Sequence, residues 1–137
     1  MEYILFCTVN FCNLSLGEFK GENMKRIYEL VQQLVKDYNT NDPFILCEEL
    51  NITYIICNLH PDIHGIYQRA SRCSLIFINR ELSTEDKYKV CSHELGHALL
   101  HADINKYFLM KSNSSHNTLY ENDAEEFSKI LLQYNHS

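Results

Sequence analysis

The stretch Cys91 to His101 reads CSHELGHALLH. Residues four apart on an α-helix stand one turn above each other on the same side, so a helix here brings the imidazoles of His93 and His97 together. Neutral imidazole nitrogen binds Zn2+ at about 2.0–2.1 Å, and a catalytic zinc takes three protein ligands and leaves a fourth position for water. Glu94 directly follows His93, which sets it beside such an ion rather than on it and suits it to act as a general base. Two histidines at this spacing with a glutamate between them fit metal chemistry better than a polar fringe on a core helix. The fold must therefore place a helix here and bring a third ligand from elsewhere.

His101 repeats the four-residue step but cannot share that ion. A helix rises about 1.5 Å per residue, so His93 and His101 lie roughly 12 Å apart along a straight one. Proteases that take a third histidine from the same motif use a glycine to turn the chain; here Ala98, Leu99 and Leu100 continue the helix. His101 is expected to pack, to support a ligand or to place charge at the helix end. The third ligand is sought on the last helix, expected from about Leu119 to Tyr134, which carries four acids. At 100° per residue, Tyr120, Ala124, Phe127 and Leu131 form its apolar face. Glu126 points away from that face, Glu121 and Asp123 lie on its two flanks, and Glu125 stands one turn after Glu121. Geometry leaves Glu121 and Asp123 as candidate ligands and Glu125 as a supporting partner.

The remaining elements follow from local signals. Apolar residues at 27, 30, 31, 34, 35 and 38 make a helical stripe from Met24 onward. Lys20 to Met24 would be encoded in an A-rich genome by a purine-rich string like a ribosome-binding sequence. Met24 is therefore expected to be the natural start, with residues 1–23 an extension and residues 24–137 a single domain. Asp42 followed by Pro43 opens a short second helix, with Phe44, Cys47 and Leu50 on one face. Residues 52–57 read as a strand, and 65–79 as two short antiparallel strands with a turn near Ala70 to Cys73. Ser83, with Asp86 three residues on, caps the metal-motif helix. Residues 105–118 are Ser/Asn-rich and read as a loop, either a lid over a site or a solvated linker. This order of helices and strands gives an α+β domain with a small antiparallel sheet.

Composition narrows the class. A length of 137 residues suits one domain. Twelve basic residues against eighteen acidic ones give a net charge of −6, and no basic run appears, so direct nucleic-acid binding is not expected. No apolar stretch is long enough for a membrane helix, and Glu2 stands where a secretory signal would carry positive charge, so a cytoplasmic protein is expected. None of the six cysteines forms a Cys-x-x-Cys pair, so they are expected to be small buried hydrophobes. His60 and His64, around Pro61 and before Gly65, are expected to be exposed turn residues.

The segments HELGHALLH and YENDAEEFSKILL, preceded by GIY and IFIN and by NDPF after the first helix, resemble the ImmA/IrrE-type metallo-endopeptidases of prophages and integrative elements. The likeness runs from about Met24 to Leu132. It implies a zincin-like metalloprotease domain with Zn2+ as cofactor. It also implies that Glu121 is the third ligand beside His93 and His97, that Asp123 is the second acid of the pattern, and that Glu125 is a carboxylate supporting a ligating histidine. Ser128 stands where that pattern usually has alanine. The implied substrate is a helix-turn-helix repressor of a mobile element, cleaved to relieve repression. A binding module that keeps the zinc fold and acts by contact, as an antirepressor, is the alternative. Tyr67, Tyr107, Tyr120 and His116 are candidates to stabilise the reaction's oxyanion, and the oligomeric state is left open.

Overall fold

A computed structural model describes the backbone of residues 16–101 and 115–134, and side chains within 21–101 and 118–134. Helix α1 spans Leu16–Tyr38 and buries Ile27, Leu30, Val31, Leu34 and Val35, the stripe the sequence predicts. It begins eight residues before Met24, so the helical backbone extends further back than the apolar pattern does. Asn39 follows with φ 53°, the left-handed conformation that ends helices and that asparagine tolerates. Helix α2, Pro43–Glu49, has the predicted cap: Phe44 N and Ile45 N donate to Asp42 Oδ1 at 2.9 and 3.4 Å.

Strands β1 (Thr53–Cys57), β2 (Gly65–Ala70) and β3 (Cys73–Asn79) form one sheet in the order β1-β3-β2. The β2–β3 hairpin is antiparallel as predicted, but β1 pairs parallel with β3. The sheet is therefore mixed, not wholly antiparallel. After β1, the chain carries β2 to the far edge, and the hairpin returns β3 into the middle, alongside β1 and in its direction. Buried Asn79 organises that crossing. Its Nδ2 donates to the carbonyls of Leu59, His60 and Ile63, and its own N–H donates to His64 O.

Helix α3, Thr84–Leu100, starts where Ser83 Oγ accepts the N–H of Asp86. Cys91, Leu95 and Ala98 are buried at helical spacing, yet so are Ser92, Glu94, Gly96 and His97. Burial here therefore covers more of the helix than one apolar stripe. Its second half is enclosed by α2, by the β2–β3 hairpin and by α4, Ser115–Gln133. Helix α4 begins four residues earlier than predicted, so residues 115–118 are helical rather than loop. The rest of the loop expected at 105–118, Tyr107 within it, and Cys7 and Cys12 lie outside the described residues.

Helices α3 and α4 run antiparallel at close range. A Cβ on Gly96 would stand 3.1 Å from Phe127 Cδ1 and 3.2 Å from Ala124 Cα, so only glycine allows this approach without displacement. The hydroxyl of Ser128 is met across the helix pair by that of Ser92. Ile27, Leu34, Leu46, Ile76, Ile78, Leu95, Phe127 and Leu131 fill the core between α1, the sheet and this pair. Cys47 and Cys91 join it as buried free thiols 3.9 Å apart, whereas Cys73, at the hairpin turn, is exposed rather than buried. Among the described residues no helix is long and apolar enough to cross a membrane.

Candidate metal centre

The close approach at Gly96 sets Glu121 of α4 opposite the histidines of α3. Glu121 Oε2 lies 2.9 Å from His93 Nε2, and its Oε1 lies 3.1 Å from His97 Nε2. One ligand atom from each of the three residues falls within 4.8 Å of the others. Among the described residues, this is the one such group of three. Two ligands on a tetrahedral ion with bonds of about 2.0–2.2 Å stand roughly 3.3 Å apart, close to both separations. The 3.1 Å pair is not a hydrogen bond, because buried His97 Nε2 has no hydrogen-bond partner in its direction. Atoms this close that do not point at one another suit ligands aimed at a shared ion. The three residues fit a metal in number, type and spacing.

Supporting groups hold each ring from behind. His93 Nδ1 lies 3.2 Å from Glu125 Oε2, and His97 Nδ1 lies 3.3 Å from His101 Nδ1. His101, the residue capping α3, in turn approaches Asp123 Oδ2 with its Nε2 at 3.3 Å. The two flanks of α4 thus divide between the two ends of the motif. Glu121 and Glu125 face the histidine pair, while Asp123 faces His101. Asp123 and His101 do not belong to the three-residue cluster.

The electrostatics follow from these contacts. The His93 imidazole, then that of His97, holds the Glu121 carboxyl well below the usual carboxylate range. Burial pulls the His93 pKa down, but Glu121 and the nearby Glu94 charge outweigh it and leave it raised. Burial dominates at His101 and lowers its pKa against the pull of Asp123. Contact with Cys47, then burial, pushes the Cys91 thiol up, so it offers no thiolate.

Glu94 is only 3% exposed, yet it lines a cavity of about 750 Å³ together with His93, Glu125, His64 and the β2 residues Gly65 to Gln68. A Cβ on Gly65 would collide with Val90 Cγ1 and stand 3.3 Å from Glu94 Cγ, so this glycine lets edge strand β2 close on the helix beside the glutamate. Of the candidate oxyanion donors, Tyr67 turns its hydroxyl to Ser74 Oγ at 3.4 Å. Tyr120 packs its ring edge-on against His101 at 4.6 Å. The side chains of Tyr107 and His116 lie outside the described residues. His64 is the imidazole on the cavity wall that sequence reasoning passed over. The available signal was its place directly before Gly65. His60, also exposed, keeps to its own turn, where its Nδ1 accepts the N–H of Asp62 at 3.2 Å.

Comparisons with known proteins point the same way. Residues 47–135 match the family model of the IrrE N-terminal-like peptidase domain. The chain is 40% identical over 102 residues to "Uncharacterized immunity region protein 2" of Bacillus phage phi105, covering 74% of this chain and 65% of that one. It is 30% identical over 110 residues to "Metallopeptidase ImmA" of Bacillus subtilis strain 168, covering 79% of this chain and 63% of that one. The chain thus spans just under two thirds of the length of these relatives. No solved structure matches it significantly.

Proposed function

This chain belongs to the peptidase family of the IrrE N-terminal-like domain, and we propose that it acts as a zinc-dependent endopeptidase. The observation that carries this reading is the convergence of two imidazole Nε2 atoms on the two oxygens of Glu121, with buried Glu94 beside them at the cavity wall. His93, His97 and Glu121 would hold the ion. Zinc held this way supplies Lewis acidity, polarising a carbonyl and lowering the pKa of a water. Glu94 accepts the proton of the attacking water at its carboxylate and returns it to the leaving amine. Burial helps by keeping bulk water from competing for that carboxylate. An extended peptide lies along edge strand β2, whose residues Gly65 to Gln68 line the cavity, and pairs with it as an added strand. His64, on the same wall, donates to the carbonyl oxygen as it gains charge.

The substrate we propose is a helix-turn-helix repressor of a phage or mobile element, cut to relieve repression. Similarity to an immunity-region protein and to an ImmA metallopeptidase supports it. The net charge of −6 suits a basic, DNA-binding partner. The test is to look beside this chain's gene for one that encodes a helix-turn-helix repressor, and to co-express that repressor with wild type and with Glu94→Gln. Wild type should cleave the repressor and the zinc-loaded variant should not. If Glu94→Gln still relieves repression with the repressor intact, the protein works by contact, as an antirepressor.

A further inference from the structure

Behind His97 a chain of side chains runs from α1 through α4 to the end of α3. Arg26 Nη2 donates to Asn23 Oδ1 at 3.0 Å. Asn23, expected from the sequence to belong to an extension before Met24, lies within α1 and packs on the domain: its Nδ2 donates to Asp123 Oδ1 at 2.6 Å. Asp123 Oδ2 lies 3.3 Å from His101 Nε2, and His101 Nδ1 lies 3.3 Å from His97 Nδ1.

Each link admits one direction. A guanidinium only donates, so Asn23 turns its oxygen to Arg26 and its amide nitrogen to Asp123. An ionised carboxylate only accepts, so the proton between Asp123 and His101 sits on His101 Nε2. A neutral imidazole protonated at Nε2 accepts at Nδ1, and the proton between the two rings then belongs to His97 Nδ1. The remaining nitrogen, His97 Nε2, keeps its lone pair and lies 3.1 Å from Glu121 Oε1 without a hydrogen bond to it. The edge-on ring of Tyr120 keeps His101 in the plane this relay needs.

We propose that Arg26, Asn23, Asp123 and His101 are positioning residues that lock His97 in the Nδ1-protonated tautomer, the form that presents Nε2 to a metal ion. The inference rests on reading His93, His97 and Glu121 as metal-binding residues. It separates the two histidines by their means of support. His93 leans on Glu125, whose side chain is 54% exposed, whereas His97 is held by a relay that reaches into another helix. It also assigns a task to His101, which spacing excludes from the ion, and to Asp123, the second acid of α4.

Asp123→Asn tests the lock. An amide cannot accept at both ends, so one of its two links must oppose the relay. Long-range proton–nitrogen correlation on the full chain with 15N-labelled histidine reads which ring nitrogens carry protons. Wild type should show His101 protonated at Nε2 alone and His97 at Nδ1. In Asp123→Asn, zinc affinity measured by chelator competition should fall about 10–100-fold, the usual cost of losing such support. A His101 protonated at Nδ1 or at both nitrogens overturns the proposal, as does a folded variant within twofold of wild-type affinity. If the variant does not fold, the wild-type spectrum alone decides. A wild-type chain that takes up no zinc sinks the metal reading and with it the purpose of the lock. The opposite ring protonation in a chain that does take up zinc overturns the lock alone.

Discussion

Glu94 and Glu125 are both carboxylates near His93, yet their surroundings set them different tasks. Glu94 is almost fully buried, and the proton transfer proposed for it needs a base, which the amide of a glutamine would not supply. With His93 Nε2 on a metal, Glu125 would only need to accept the Nδ1–H of that ring, which an uncharged amide oxygen can also do. Glu125→Ala should therefore weaken zinc binding by about 10-fold, while Glu125→Gln should stay near wild type in chelator competition. Equal losses in both variants would show that the charge, not the acceptor, matters. His64 is proposed to meet the substrate and not the ion. His64→Ala should lower kcat by about 10²-fold, the cost of one oxyanion donor, with zinc affinity unchanged. A variant that loses zinc as well would place His64 in the wrong role.

At the scale of elements, the site depends on how closely α3 and α4 meet. Gly96→Ala gains up to about 1 kcal/mol in helix propensity, but overpacking against the Ala124 backbone and Phe127 costs about 1–3 kcal/mol. The expected outcome is a lower Tm together with weaker zinc binding, because α4 carries Glu121 away from the histidines as it shifts. An unchanged zinc affinity would mean the pair tolerates the extra carbon. Ser128→Ala, one turn further along, should cost less than about 1 kcal/mol in denaturant unfolding, since Ser92 Oγ still donates to Lys89 O at 2.9 Å. Elements with local signals were legible in the sequence. Asp42 and Ser83 mark their helix starts through bonds to residues two to three positions away. The parallel pairing of β1 was not legible, because strand order depends on where the β2–β3 hairpin docks and not on any residue of β1. The burial of small and polar residues in the second half of α3 was equally hidden, since such residues reveal burial only through their neighbours.

Across the whole molecule, an ion held by His93, His97 and Glu121 would tie α3 to α4 across the core. Binding to the folded state alone stabilises by about 2.7 kcal/mol at a hundredfold excess over Kd. For a domain of this size, zinc should raise Tm by on the order of 5–10 °C and a chelator should reverse it. In Glu121→Gln most of that increment should disappear. A zinc-independent Tm in wild type would speak against a tie between the helices. Spacing made the nearness of His93 and His97 legible, and resemblance chose Glu121 over Asp123. The relay through Asn23, Asp123 and His101 was not legible, because it joins three helices whose mutual register no local pattern encodes. The centre itself is tested most directly by zinc-edge anomalous diffraction from crystals of the zinc-loaded protein. One peak bonded to His93 Nε2, His97 Nε2 and Glu121 is the predicted result. A peak on Asp123 or His101, or no peak at the cluster, would contradict it.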